Sequence, residues 1–178
     1  AHIIFSQDYM QGDIESLAAP YLNPEKDVSS VDDALNGAMD IIAEEISDNA
    51  EYRKAIRDIY FNHGIIVTKA KKDEDSVYRM YYDFKEPVSK AAKHRILAIN
   101  RGEKEGFLQV RIEVPDEQII GYLKSKTIKN HASITSVYVE RAVEDAYKRL
   151  IASSIENETR NELTNAAEEQ AIKVFAEN

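Results

Sequence analysis

Apolar positions in the last third of the chain recur at helical spacing. Val139, Val143, Ala146, Tyr147, Leu150, Ile151 and Ile155 form one stripe. It weakens at Thr159 and resumes with Leu163, Ala166, Ala167, Ala171, Val174 and Phe175. Glu, Lys, Arg, Asn and Gln fill the other face. The last proline is Pro115 and the last glycine Gly121, so no residue forces a stop after them. The pattern predicts one long C-terminal helix from about Val137, roughly 60 Å at ~1.5 Å per residue. A compact domain of this size is only about 40 Å across. The helix is therefore expected to overrun the domain, and the chain to be a fragment of a larger multidomain protein against which that helix packs.

Earlier segments follow the same period. Asp13 caps a short helix, Ile14–Leu22, and Asn23-Pro24-Glu25-Lys26 makes a turn. Ser30 caps the next helix with Asp33 as a weak capping box, and Val31, Leu35, Ala38, Ile42 and Ile46 form its buried stripe. Asp48 is the expected cap of a third helix, which buries Ala55, Ile56, Ile59 and Tyr60 and ends at Gly64. These two helices, joined at Ser47–Asn49, form a helical hairpin.

Period-two alternation is concentrated in one place. Leu108, Val110, Ile112 and Val114 alternate with Phe107, Gln109, Arg111 and Glu113, which predicts a strand with one packed face. Ile96–Asn100 is assigned as its hairpin partner and Arg101–Gly106 as the turn. Ile65–Thr68 is a short extended segment. Val77–Tyr82 is a helical turn or two, broken at Pro87. Asp116 opens a helix over Glu117–Ser125, and Lys126–Ser133 is a basic loop. The fold class is mainly α, with helical hairpins, one antiparallel β-hairpin and the long terminal helix. The organisation is a helical hairpin region over 1–64, a mixed segment over 65–133 and the long helix over 134–178.

Composition narrows the function. The 178 residues include no cysteine, which removes disulfides, thiolate metal sites and cysteine nucleophiles together. With 31% charged residues and no apolar run near the ~20 residues of a bilayer span, a cytoplasmic protein without a membrane partner is expected. The net charge of −9 is uneven. Residues 1–84 carry 8 Lys and Arg against 17 Asp and Glu, residues 85–131 carry 10 against 6, and residues 132–178 carry 5 against 9. The acidic ends repel a phosphate backbone. The middle tolerates one, or is simply a solvated surface. Its candidate phosphate contacts are Lys90, Lys93, Arg95, Arg101, Lys104, Lys124, Lys126 and Lys129.

Catalytic patterns are not evident. His2, His63, His94 and His131 have no second ligand one helical turn away. Glu44/Glu45 and Glu168/Glu169 sit on solvated helix faces. No Gly-x-Ser-x-Gly elbow or phosphate-cradling glycine loop occurs. No catalytic residue, cofactor or metal is expected. Tyr78, Tyr81, Tyr82 and Phe84, beside Arg79 and Lys85, read more readily as a small core under a loop than as a base-stacking platform.

Four stretches resemble one family: Tyr21-Leu-Asn-Pro-Glu-Lys-Asp-Val28; Asp33 to Ile46; Tyr82-Asp-Phe-Lys-Glu-Pro-Val88 continuing through His94-Arg-Ile-Leu-Ala-Ile-Asn-Arg-Gly-Glu-Lys-Glu-Gly106; and Asp145-Ala-Tyr-Lys-Arg-Leu-Ile151 with Arg160–Leu163 and Ala167–Val174. Together they resemble the Tex family of bacterial transcription accessory proteins, itself similar to a eukaryotic elongation factor. The resemblance implies a multidomain protein with a resolvase-like domain, helix-hairpin-helix motifs and an OB-fold RNA-binding domain. This chain is similar only to the internal segment before the resolvase-like domain. It is expected to be a non-enzymatic scaffold that contacts RNA or DNA weakly by itself. Its implied partners are nucleic acid, its own remaining domains and the transcription machinery. The alternative is a protein-interaction module using the long helix, with Leu163, Ala167, Ala171 and Val174 under-covered.

Overall fold

The computed structural model describes residues 1–10 and 12–176. In chain order the regular elements are α1 (His2–Ser6), α2 (Ile14–Ala18), α3 (Val31–Asp48), α4 (Ala50–His63), β1 (Ile65–Ala70), β2 (Asp83–Pro87), α5 (Lys93–Lys104), β3 (Leu108–Glu113), α6 (Asp116–Thr127), α7 (Ser136–Asp145), a π turn (Ala146–Ile151) and α8 (Ala152–Ala176). The last three are continuous over 41 residues. The chain folds as two compact units. One is Ala1–Arg53 with Asp116–Ser153. The other is Lys54–Pro115 with the helix from Ser154 onward.

The first unit is helical. Leu35, Ile42, Ala43 and Ile46 of α3 are buried, and α3 packs on α7 and the π turn, which bury Val139, Ala142, Val143, Tyr147 and Ile151. Ile119 and Leu123 of α6 complete this core. The start of α3 carries a full capping box. Ser30 Oγ accepts from the Asp33 N–H at 3.1 Å, and the Asp33 carboxylate accepts from the Ser30 N–H at 2.9 Å. These bonds hold the Asp33 pKa below its ordinary value, with the Ser30 side chain the largest cause. Asp13 caps α2 through the Ser16 N–H, but that helix yields at Ala18 to a 3-10 turn, Ala19–Tyr21. The cap of α4 is Asn49, whose side chain accepts from the Tyr52 N–H at 3.0 Å. Asp48, the expected cap, is instead the last residue of α3.

The second unit is built on a three-stranded antiparallel sheet in the order β2-β1-β3. Ile66 and Thr68 in the central strand stand opposite Ile112 and Val110 on one side and Glu86 and Phe84 on the other. The expected strand at 107–114 is present, but its neighbour is β1. Residues 96–100 are helical, inside α5. Ile96 and Ile99 are buried three residues apart, as a helix face requires. The helix ends in a Schellman motif: the Gly106 N–H donates to the Glu103 carbonyl and the Phe107 N–H to the Gly102 carbonyl, with Gly106 at φ 79°. Gly106 thus stops a helix rather than turning a hairpin. Strand β2 also replaces the expected break before Pro87. Proline at the strand end leaves the ladder intact, since Val88, just beyond it, donates to Gly64 at 2.9 Å. The tyrosine cluster is core: Tyr78 and Tyr81 are buried, packed on Phe107 and Phe84.

The π turn has a sequence cause. Val139, Val143, Tyr147, Ile151, Ile155 and Thr159 are all buried and lie four residues apart. A four-residue repeat outruns the 3.6-residue α turn, so the stripe drifts around an ideal helix. A wider i→i+5 turn takes up part of that drift. Thr159 keeps its place in the stripe because its hydroxyl donates to the Ile155 carbonyl at 2.8 Å.

Two glycines give opposite expectations. A Cβ on Gly64 would lie 2.1 Å from the Tyr60 carbonyl oxygen and 3.0 Å from the Ile112 and Val88 side chains, whereas one on Gly37 in α3 meets nothing within 4 Å. Gly64→Ala is expected to destabilise by about 2–3 kcal/mol in urea unfolding. Gly37→Ala is expected to stabilise by about 0.5–1 kcal/mol through helix propensity. Equal effects would contradict the packing described for Gly64.

Candidate nucleic-acid interface

The eight candidate cations divide by what they already touch. In the first unit all three are engaged. Lys124 Nζ lies 2.9 Å from Glu144 and 3.9 Å from Glu140. The Lys124 ammonium, chiefly through its hydrogen bond, holds the Glu144 carboxyl below its ordinary pKa. Lys126 sits 3.7 Å from Glu51 and over the Tyr122 ring, and Lys129 lies over the ring of Phe5. These contacts leave them poor candidates for phosphate.

In the second unit Arg95 is also committed. Its guanidinium meets Glu86 at 2.9 Å, and the Glu86 side chain is 11% exposed. Glu86 lies on β2 in register with Ile66, on the sheet face that α5 covers, so a carboxylate occupies a core position and Arg95 neutralises it. Glu86 Oε2 and Arg95 Nε are buried without a hydrogen-bond partner, so the ion pair leaves one acceptor and one donor unsatisfied beneath the sheet face.

The remaining four behave differently. Lys90, in the 3-10 turn Val88–Lys90, and Lys93, Arg101 and Lys104 of α5 are all exposed, and none forms an ion pair among the described residues. Lys93, Arg101 and Lys104 fall within about 80° of one another on the helix circumference, along about 16 Å of axis. The opposite arc carries Ile96, Ile99 and Gly102, all buried. Nearby acids are occupied: Glu103 receives Arg160 from α8, with one N–O distance of 3.1 Å, and Glu105 accepts from the Tyr78 hydroxyl at 2.8 Å. Asn100 donates to Thr164 at 2.8 Å, fixing the same side of α5 to α8.

The start of α5 adds a second electrostatic feature. Its N-cap, Ala92, offers no side-chain acceptor, and its first turn, Lys93-His94-Arg95, contains no acid. Cations there oppose the helix dipole, whose N-terminal end favours anions. The local field is positive from both sources. Among the described residues no group of three His, Asp or Glu side chains is placed to hold a metal ion. The pairs Glu44/Glu45 and Glu168/Glu169 are exposed on α3 and α8.

Arg95→Ala is expected to lower stability by about 2–3 kcal/mol, because it strands the buried Glu86 carboxylate while the lost guanidinium was itself partly exposed. Lys93→Ala is expected to change stability by less than about 0.5 kcal/mol. Chemical denaturation of both variants checks this, and a neutral Arg95→Ala would remove the structural role given to the pair.

The family model described as Tex central region-like matches residues 10–175. The chain is 45% identical over 169 residues to "Uncharacterized protein YdcI" of Bacillus subtilis, an alignment covering 93% of this chain and 24% of that protein. It is 31% identical over 174 residues to "Transcriptional accessory protein Tex" of Neisseria gonorrhoeae, covering 93% and 23%. It is 25% identical over 157 residues to "Transcription elongation factor SPT6 homolog" of Arabidopsis thaliana, covering 80% and 10%. The chain thus spans about a quarter of the length of these bacterial relatives. Among the described residues no helix is long and apolar enough to cross a membrane.

Proposed function

The chain belongs to the Tex central-region family, and from that premise we propose that it is a non-catalytic scaffold segment of a transcription accessory protein that touches nucleic acid through the exposed basic stripe of α5. The observation that carries this reading is the sorting of the cations. Four of eight form no ion pair among the described residues, three of them on α5 and Lys90 in the turn before it, while Glu103 beside them is paired with Arg160 and Glu105 accepts from Tyr78. Phosphate contact needs cations but no particular base geometry, and a helix face is enough to supply it. The names of the relatives tie them to transcription, which supports a nucleic-acid setting. The much greater length of those relatives supports a scaffold role beside further domains, where the principal RNA-binding surface belongs.

Binding by this chain is accordingly weak and steeply salt-dependent. Four phosphate contacts give a slope of log K against log salt of about −3 to −4. Fluorescence anisotropy with a labelled single-stranded RNA and a DNA duplex measures it. Lys93→Glu with Arg101→Glu is expected to weaken binding at least about tenfold and flatten the slope by about two. Lys124→Ala, which removes an engaged lysine, is expected to change neither by much. Binding that ignores the α5 changes, or that resists salt, would sink the proposal.

A specific observation also favours a protein-contact role for α8. Of the four residues expected to be under-covered, Val174 is 50% exposed, whereas Leu163 and Ala171 are half-buried and Ala167 is 1% exposed. The exposed apolar side chains lie further on: Ile172 is 69% exposed and Phe175 86%. We infer that the last turns of α8 drive self-association of the isolated chain. Light scattering should show a concentration-dependent rise in mass that Ile172→Asp with Phe175→Asp abolishes. A strictly monomeric chain at high concentration rules it out.

A further inference from the structure

The first unit contains an apolar groove of about 440 Å³ that the nucleic-acid reading does not use. Ile3 of α1, Ile14 and Leu17 of α2, Tyr21, and Ala38 and Ile41 of α3 line it. Only His2 and Asp33 among its lining residues bring a charged or titratable side chain other than tyrosine. Tyr21 is 60% exposed and Ile41 50%, so the groove is open to solvent rather than sealed. Its floor is low because α3 presents Ala34, Gly37 and Ala38 there, and the space above Gly37 is empty to 4 Å.

The walls are held independently of any occupant. Gln7, the left-handed residue that ends α1, is 2% exposed. Its Nε2 donates to the Thr127 carbonyl at 2.7 Å, and its Oε1 accepts from the Lys129 and Asn130 N–H groups at 2.9 and 3.2 Å. Asp13 caps α2, and the Ser30 box fixes the start of α3. A buried, fully satisfied amide on one wall and capped helices on the others describe a preformed cleft.

Charge decides what fits. Residues 1–48 contain eleven Asp and Glu and a single Lys. Along α3, Ala34, Ala38, Ile41, Glu45 and Asp48 follow one another at three- and four-residue spacing on one face, so the apolar floor continues directly into carboxylates. Glu44, Glu45 and Asp48 are exposed and form no ion pair among the described residues. Nucleic acid and anionic lipid are repelled by such a rim. A helix with small or aliphatic residues on one side and Lys or Arg flanking them satisfies both the floor and the rim, and the small residues of α3 let its backbone approach closely.

We propose that this groove docks a cationic amphipathic helix of a protein partner, lying along the exposed face of α3. The proposal is independent of nucleic-acid binding, which uses the second unit.

The test uses the full 178-residue chain and a fluorescein-labelled synthetic 18-residue peptide with Leu and Ala on one face and Lys on the other, followed by anisotropy. A matching peptide with Glu in place of Lys is the control. Saturable binding of the Lys peptide is expected, with none by the Glu peptide. Gly37→Leu fills the floor and replaces glycine by a better helix former, so the fold is kept. It should weaken binding at least about tenfold, as loss of a central contact does. Glu44→Gln with Glu45→Gln should weaken binding several-fold at low salt and less at high salt. Thermal melts confirm that each variant is folded. No binding of the Lys peptide, equal binding of both peptides, or binding that survives Gly37→Leu would each overturn the proposal.

Discussion

Six side chains spaced four apart along the C-terminal helix, from Val139 to Thr159, are buried to at least 95%, and both units are organised by that stripe. In the first unit its leading half meets α3. In the second, α8 is joined to α5 and the sheet by polar contacts that only a fixed helix face can make. Arg160 reaches Glu103, Thr164 receives Asn100, and Glu156 accepts the Ile112 N–H at 2.8 Å. The last of these matters because Ile112 lies on β3, at the edge of the sheet, where backbone donors lack a neighbouring strand. A side chain of α8 thus satisfies a strand edge and ties the helix to β3. The π turn is the local adjustment that a four-residue repeat demands of a helix built on 3.6.

Packing of α5 on the sheet and α8 also explains why its outer face is basic. Its buried arc is fixed by Ile96, Ile99 and Gly102, where the Leu108 side chain lies so close that a Cβ would come within 2.7 Å. Its flank is fixed by Asn100 and Glu103 toward α8. What remains of the circumference is Lys93, Arg101 and Lys104, none of which forms an ion pair among the described residues. Burial of Glu86 works the same way, since it consumes Arg95 from the first turn and leaves Lys93 and His94 facing outward. The charge available to a ligand is therefore the residue of the packing problem rather than a sum over the sequence.

Much of the helical framework was legible because its signals are local. Ser30 and Asp33 announce a cap three residues apart, Gly64 announces a helix end, and the alternation in 107–114 announces a strand. Residues 96–99 were not legible as helix, because Ile-Leu-Ala-Ile is a four-residue apolar run with no period of its own. The deciding sign was Gly106, seven residues beyond Ile99, which serves a helix end and a hairpin turn equally well in sequence. Strand β2 was hidden by Glu86, whose buried carboxylate imitates a surface position until Arg95 is placed beside it. The candidate contacts could be named from charge, but their division could not. Nothing in the neighbourhood of Lys124 in the sequence points to Glu144, twenty residues away.

Electrostatic segregation within one chain also constrains what each unit can recruit. At physiological ionic strength the screening length is about 8 Å, so each surface is governed by the charges of its immediate surroundings rather than by the net −9. The groove in the first unit runs along α3 toward the exposed carboxylates of Glu44, Glu45 and Asp48, and a phosphate backbone is repelled there. The exposed face of α5 has the opposite sign and no apolar floor, so it offers a polyanion charge without a cleft. A protein that holds nucleic acid with one and a basic polypeptide with the other gains selectivity for each from the repulsion that excludes its rival, which costs nothing in packing because both sets of charges already face solvent.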